Sequence, residues 1–169
     1  KILITGGAGY IGSKLATKLV NEGHHVTVLD LMKYNKSSLN HLMGEKKFNL
    51  IVGDCCKTDL LKKTLKGKDF IIPLAGLVGA PLCNKFPKES KEINQDVILK
   101  IISLKSSNQI ILYPNTNSGY GNTDKNIECD ETMPLNPISI YGKTKCAVEN
   151  ELMQKENVVS FRLATVFGS

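Results

Sequence analysis

"KILITGGAGYIGSKLATKLVNEG", residues 1–23, decides the fold. Its first five residues are an apolar run stopped by glycine, the pattern of a buried parallel strand. Ile11, Leu15, Leu19 and Val20 then share one helical face, and Gly23 stands at the stop. Between strand and helix lies G-x-G-x-x-G, Gly7 to Gly12. Alone, the pattern is a glycine-rich turn; between a strand and a helix it is a phosphate cradle. Gly7 is expected to allow the tight turn, Gly9 to let the backbone approach a pyrophosphate, and Gly12 to let helix pack on strand. Free N–H groups at the helix start would hold the phosphates.

Five more apolar segments read as strands: "HHVTVLD" (24–30), "KFNLIVGD" (47–54), "KDFIIPLAG" (68–76), "NQIILYPNT" (108–116) and "VVSFRLATVFG" (158–168). Helical patterns fall between them, near 57–66, 86–107 and 138–155. This alternation predicts an α/β domain, a parallel sheet covered by helices on both faces. Residues 115–138, rich in Asn, Gly, Pro and Asp, read as a long irregular loop, a kind that tends to be functional.

The chain of 169 residues is 41% hydrophobic and 22% charged, as in an ordinary globular domain. No apolar run approaches the length of a membrane span, so no membrane partner is expected. The net charge of +6 comes from 22 basic residues, all lysine except Arg162. They are dispersed without aromatic interleaving, which argues against nucleic acid; attraction of anionic nucleotides is the simpler use. Five cysteines without a CxxC pair or a His partner read as reduced cytoplasmic thiols, with no metal site.

The second strand ends in Asp30, placed to accept hydrogen bonds from adenosine ribose hydroxyls. Its charge would repel a 2′-phosphate, which favours NAD; Lys33 nearby keeps NADP as the alternative. Asp54, ending the third strand, is expected beside the adenine with the Cys55 backbone alongside; the other reading is a helix cap. "PLAGLVG" (73–79) brings small residues to the end of the fourth strand, where the chain passes close to the cofactor.

"SIYGKTKCAVE" (139–149) places Tyr141 and Lys145 one helical turn apart. A cation beside a phenol lowers its pKa and suits it to proton transfer near neutrality. Chance alone supplies a second such pair, Tyr10 and Lys14. What distinguishes the first is Thr116, a hydroxyl at the end of the fifth strand, in the crevice where a nicotinamide would lie. A Thr hydroxyl, a Tyr and a Lys around a nicotinamide form a hydride-transfer site.

These residues resemble the extended short-chain dehydrogenase/reductases, specifically the NAD-dependent epimerase/dehydratase group acting on nucleotide sugars. The resemblance covers the whole chain and rests on "TGGAGYIG", "VLD", "GD", "LAGLVGAPLC", "EIN", "NTNSGYG", "DETMPLNPISIYGKTK" and "FRLATVFG", in the family's order. It implies a Rossmann-type doubly wound sheet in three αβα layers, strand order 3-2-1-4-5-6. By position it implies Thr116, Tyr141 and Lys145 as catalytic residues. Gly6, Gly9, Tyr10, Ile11, Gly12, Asp30, Asp54, Cys55, Leu74, Ala75 and Gly76 would contact NAD, together with Tyr141 and Lys145. Thr116, Asn117 and Thr165 would face the substrate, and Asn94 would be mainly structural. The helices near 86–107 and 138–155 would form a homodimer interface.

Two departures stand out. Pro73 replaces the usual His before "LA", a change expected to affect strand-end packing. Asn117 and Ser118 stand where sugar dehydratases of the family carry an Asp–Glu pair, which argues against that elimination. An epimerase is therefore the leading reading. A reductase, dehydrogenase or dehydratase is the alternative, and a non-catalytic dinucleotide sensor is the alternative of another class. Residues 1–169 are expected to be one NAD-binding domain of a longer protein whose smaller C-terminal domain grips the sugar. By itself this domain is expected to bind NAD weakly and turn over little; detectable epimerisation by the isolated chain, followed by NMR, would contradict this.

Overall fold

A computed structural model describes residues 1–34, 36–122 and 127–168. The six expected strands form: β1 (Ile2–Thr5), β2 (Val26–Asp30), β3 (Phe48–Val52), β4 (Phe70–Pro73), β5 (Ile110–Thr116) and β6 (Val158–Leu163). All pair in parallel in the order β3-β2-β1-β4-β5-β6. The chain winds outward from β1 through β3, then crosses back to start again at β4. That reversal opens a crevice above the carboxyl ends of β1 and β4, where such sheets bind ligands.

Side chains alternate across a strand, and β1 shows the consequence. Leu3 belongs to one buried cluster with Leu29, Ile71, Ile111 and Tyr113, under α2 (Thr58–Leu65), α5 (Val97–Leu104) and α6 (Ile140–Leu152). Ile2 and Ile4 join the opposite cluster with Val26, Val28 and Ile72, beneath α1 (Tyr10–Asn21) and the segment carrying Leu39 and Leu42. A strand apolar at every position is thus one buried on both sides. β6, at the edge, keeps Val159 and Phe161 nearly half exposed.

Several boundaries differ from the sequence reading. The 86–107 pattern is α4 (Pro87–Lys91), a π-helical turn over Glu92–Asp96, and α5, which ends at Leu104. The 138–155 pattern is α6, started by Ser139, whose Oγ accepts from the Gly142 amide at 3.0 Å, and over by Leu152. A short helix, α3 (Ala80–Lys85), follows the small residues of 73–79, where the sequence reading places no element; Pro81 is tolerated in its first turn. Thr116 ends β5, as the sequence reading places it, and residues 123–126 of the loop that follows lie outside the described residues.

Leu3 is fully buried in the centre of the sheet, whereas Val159 lies on the edge strand. Leu3→Ala should cost about 3 kcal/mol, and Val159→Ala less than about 1 kcal/mol. Midpoints of urea unfolding measure both.

Candidate active site

The turn from β1 into α1 is built on contacts that a side chain would block. Gly6 has φ 73°, and a Cβ there would lie 2.4 Å from the Ala75 amide nitrogen beyond β4. The positive φ falls on Gly6 and not on Gly7, so the tight turn expected at Gly7 is made one residue earlier. Gly7 instead lies against β2, where a Cβ would stand 2.6 Å from Val28 Cγ2. A Cβ on Gly12 would meet Gly7 Cα at 2.6 Å, so the helix start rests directly on the loop. At Gly9 a Cβ would touch only the Gly6 carbonyl, at 3.4 Å. Tyr10 and Ile11 open α1, whose first amides lack intrahelical acceptors, and both are exposed.

Asp30 stands over this turn. Its Oδ2 accepts from the Ala8 amide at 3.0 Å and its Oδ1 from Met32 at 2.7 Å. A carboxylate offers about four lone-pair directions, so both oxygens retain capacity for ribose hydroxyls. Asp54 accepts from the Cys56 amide at 2.8 Å, turning the chain before α2, while Lys57 takes the cap position without a side-chain bond. The Asp54, Cys55 and Cys56 ligand atoms lie within 4.8 Å of one another. Burial pushes the two thiols up, to about 11 and about 12, so both stand protonated near neutral pH. The Leu74 and Ala75 backbone lies directly against Gly6, and a Cβ on Gly76 would lie 2.7 Å from Asn94 Oδ1. Asn94, buried in the π-turn, accepts from the Leu77 amide at 2.9 Å and donates to its carbonyl at 2.8 Å. That clamp holds the segment 74–77 in place.

Thr116 and Tyr141 are brought together. The Thr116 hydroxyl donates to Ser118 Oγ at 3.1 Å and accepts from the Ser118 amide at 3.2 Å, capping the turn Asn117–Gly119. Tyr141, half-buried in the first turn of α6, has its phenol raised by dehydration and by Cys83, while its hydrogen bond with Thr116 lowers it. Lys145 is turned inward. Its Nζ donates to the Pro114 carbonyl at 2.6 Å and lies 4.1 Å from the centre of the Tyr113 ring. Dehydration pulls the ammonium down to about 7, against Cys146 and Glu149, which hold it up. The net shift of Tyr141 is therefore upward, not the lowering that a neighbouring cation predicts, because burial outweighs every other influence. Thr165 is exposed, in the segment after β6.

Sequence reading missed four groups here. Tyr113 is fully buried beneath Lys145 and donates to its carbonyl at 3.3 Å. Cys83 comes from the unforeseen helix α3, and the Pro114 carbonyl is invisible to any side-chain motif. Glu149 was detectable, since it lies four residues after Lys145 on the same helical face.

The sequence pattern of the NAD dependent epimerase/dehydratase family matches residues 2–169. The chain belongs to that family. It is 29% identical over 177 residues to UDP-glucuronic acid decarboxylase 1 of Xenopus tropicalis, covering 100% of this chain and 41% of that protein. It is 29% identical over 153 residues to UDP-glucose 4-epimerase of Lactobacillus helveticus, covering 88% and 45%. The solved UDP-glucuronic acid 4-epimerase of Bacillus cereus, in complex with UDP-glucuronic acid and NAD, superposes with a TM-score of 0.84 at 26% identity, covering 95% and 55%. The chain thus spans about half the length of these relatives or less. NAD, the expected cofactor, is the one the family is named for and the one in that complex. Among the described residues, no helix is long and apolar enough to cross a membrane.

Two outcomes follow from this geometry. Gly6→Ala should destabilise the chain by about 1–3 kcal/mol and weaken NAD binding, read by urea unfolding and cofactor titration. Lys145 titrates near 7 when folded and at 10.5 otherwise, so between these values the unfolded chain binds more protons. Its contribution to stability is full above 10.5 and is lost as pH falls to about 7. Urea midpoints should rise with pH across that window, and Lys145→Met should flatten the rise.

Proposed function

We propose that the full protein is an NAD-dependent nucleotide-sugar epimerase. The observation that carries this reading is the turn after β5. It presents the Thr116 hydroxyl to Tyr141 and follows it with Asn117 and Ser118, so no carboxylate stands there to drive elimination of water. The crevice residues fit NAD. At Gly9 a Cβ would meet only the Gly6 carbonyl, which suits the approach of a pyrophosphate; the first amides of α1 would receive it, and Asp30, bonded to the Ala8 amide, would accept from the ribose. Gly6, Gly9, Tyr10, Ile11 and Gly12 would hold the phosphates, Asp30 the ribose, and Asp54 with Cys55 the adenine. Leu74, Ala75 and Gly76 would border the cofactor, with Tyr141 and Lys145 at its nicotinamide end.

When bound, NAD supplies a reversible hydride acceptor. The chain does the proton work. As a phenolate Tyr141 takes the proton of a sugar hydroxyl, and as the resulting phenol it returns that proton after the sugar has turned over. Thr116 orients that sugar oxygen, with Asn117 and Thr165 on the substrate side. Lys145, titrating near 7, is poised to exchange a proton near neutral pH, with the Pro114 carbonyl fixing its Nζ. The reading includes a homodimer through the helices near 86–107 and 138–155, which sedimentation of the full protein tests.

The deciding experiment offers the full-length protein a panel of nucleotide sugars without added cofactor. Product of unchanged mass with one inverted carbon supports the epimerase. Loss of water or of carbon dioxide would replace it with a dehydratase or a decarboxylase, and turnover only on adding NAD(P)H or NAD with a redox enzyme. Nucleotide bound without any turnover would leave a sensor. Tyr141→Phe should lower kcat by about 10²–10⁴-fold, and full turnover by that variant would remove Tyr141 from the mechanism.

A further inference from the structure

Behind Thr116, Tyr141 and Lys145 lies a buried charged cluster that their chemistry leaves unexplained. Glu149, only 5% exposed, stands on α6 one turn beyond Lys145. Its carboxylate accepts from Asn115 Nδ2 on β5 and, at 3.0 Å, from Arg162 Nε on β6. Arg162 Nη1 donates to the Tyr120 hydroxyl and to the Glu131 carbonyl, both at 3.3 Å. Its guanidinium lies 5.3 Å from the centre of the Tyr120 ring.

The placement of these partners is what matters. Asn115 immediately precedes Thr116, and Tyr120 follows the turn that carries Asn117 and Ser118. The bond to Glu149 is the one hydrogen bond of the Asn115 side chain among the described residues, its own Oδ1 being buried without a partner. One carboxylate therefore ties the helix of Tyr141 and Lys145 to the strand end of Thr116 and, through Arg162, to the loop beyond. An ion pair this buried is a poor device for stability, since apolar residues of equal volume hold a helix on a sheet as well or better. The only arginine among 22 basic residues is spent on it.

We infer that Glu149 is a positioning residue for the proposed reaction, holding Thr116 in line with Tyr141 and Lys145 through Asn115 and Arg162. The inference rests on the epimerase reading for its kinetics but not for its geometry. Glu149 also acts on Lys145 across one turn. The titratable groups around Lys145 are Tyr113 from β5, Tyr141, Cys146 and Glu149 from α6, and Arg162 from β6 behind Glu149. Of these, Cys146 and Glu149 hold the ammonium up against dehydration. Removing the carboxylate should let Lys145 lose its proton at lower pH.

The test uses the full-length protein with Glu149→Gln and Glu149→Asp. The first readout needs no substrate: NMR titration of the Lys145 side chain, assigned by its loss in Lys145→Arg. Glu149→Gln should move that midpoint down, while Glu149→Asp should leave it near the wild-type value. With substrate, Glu149→Gln should lower kcat by about tenfold at nearly unchanged KM, and the alkaline limb of the kcat profile should move down with Lys145. A folded Glu149→Gln variant with wild-type kcat overturns the inference, as does a loss of thermal stability alone with Lys145 unmoved. Should Glu149→Gln fail to fold, Glu149→Asp decides. Its carboxylate is one methylene too short to span both partners, so a lowered kcat supports the inference and a wild-type kcat overturns it. If the wild-type protein turns over no nucleotide sugar, the functional reading fails by itself and the Lys145 titration still decides whether Glu149 acts on the site.

Discussion

Where β1 gives way to α1, the chain passes so close to the end of β4 that no side chain fits between them. A Cβ on Gly6 would stand 2.4 Å from the Ala75 nitrogen and 2.8 Å from the Leu74 carbonyl carbon. That backbone-on-backbone contact closes the floor of the crevice at the point where the sheet reverses its winding. It sets the height of α1, whose Gly12 rests on Gly7, and therefore the place where the amides of α1 point. On the other side it positions segment 74–77, which Asn94 clamps from the π-turn. The π-turn gives the long helix an extra residue just where this clamp is made, in keeping with the frequent placement of such turns at functional sites.

A second constraint is dehydration. The helix that carries Tyr141 and Lys145 packs its inner face on β5, and the groups on that face lose water in proportion. Tyr113 and Lys145 meet as ring and cation, an arrangement that strengthens away from solvent. The same loss of water draws Lys145 from 10.5 to about 7 and raises Tyr141. Beside them lies one buried pair of opposite charges. Glu149 and Arg162 satisfy one another, and each also bonds a neutral partner on a neighbouring segment. Packing and acid–base chemistry thus have one origin, the burial of α6 against the sheet.

Much of this was legible because it is local. Strand and helix periods identified all six strands and four of the helical stretches, and the strand order follows the resemblance. The residues at strand ends, Asp30, Asp54, Leu74 to Gly76 and Thr116, fall at the crevice because parallel strands deliver their last residues to one edge. What misled is equally specific. The turn at Gly6 and Gly7 admits two phases of glycine spacing, and only φ distinguishes them. Helix α3 was hidden by its brevity and by Pro81, both of which read as loop. The π-turn was invisible because its apolar pattern continues through it.

The sequence by itself determined the layers, the glycine turn, the identity of the acids at the strand ends and the Tyr–Lys pair, since each depends on spacing within a few residues. Tertiary structure alone decided which groups lose water and which meet across long separations. Asn115 and Glu149 are 34 residues apart, and Lys145 reaches the Pro114 carbonyl over 31. Their meeting depends on the depth to which α6 sinks against β5, a packing outcome that no local pattern carries. The direction of the Tyr141 shift depends on the same depth, because a cation one turn away favours the phenolate only while burial does not outweigh it.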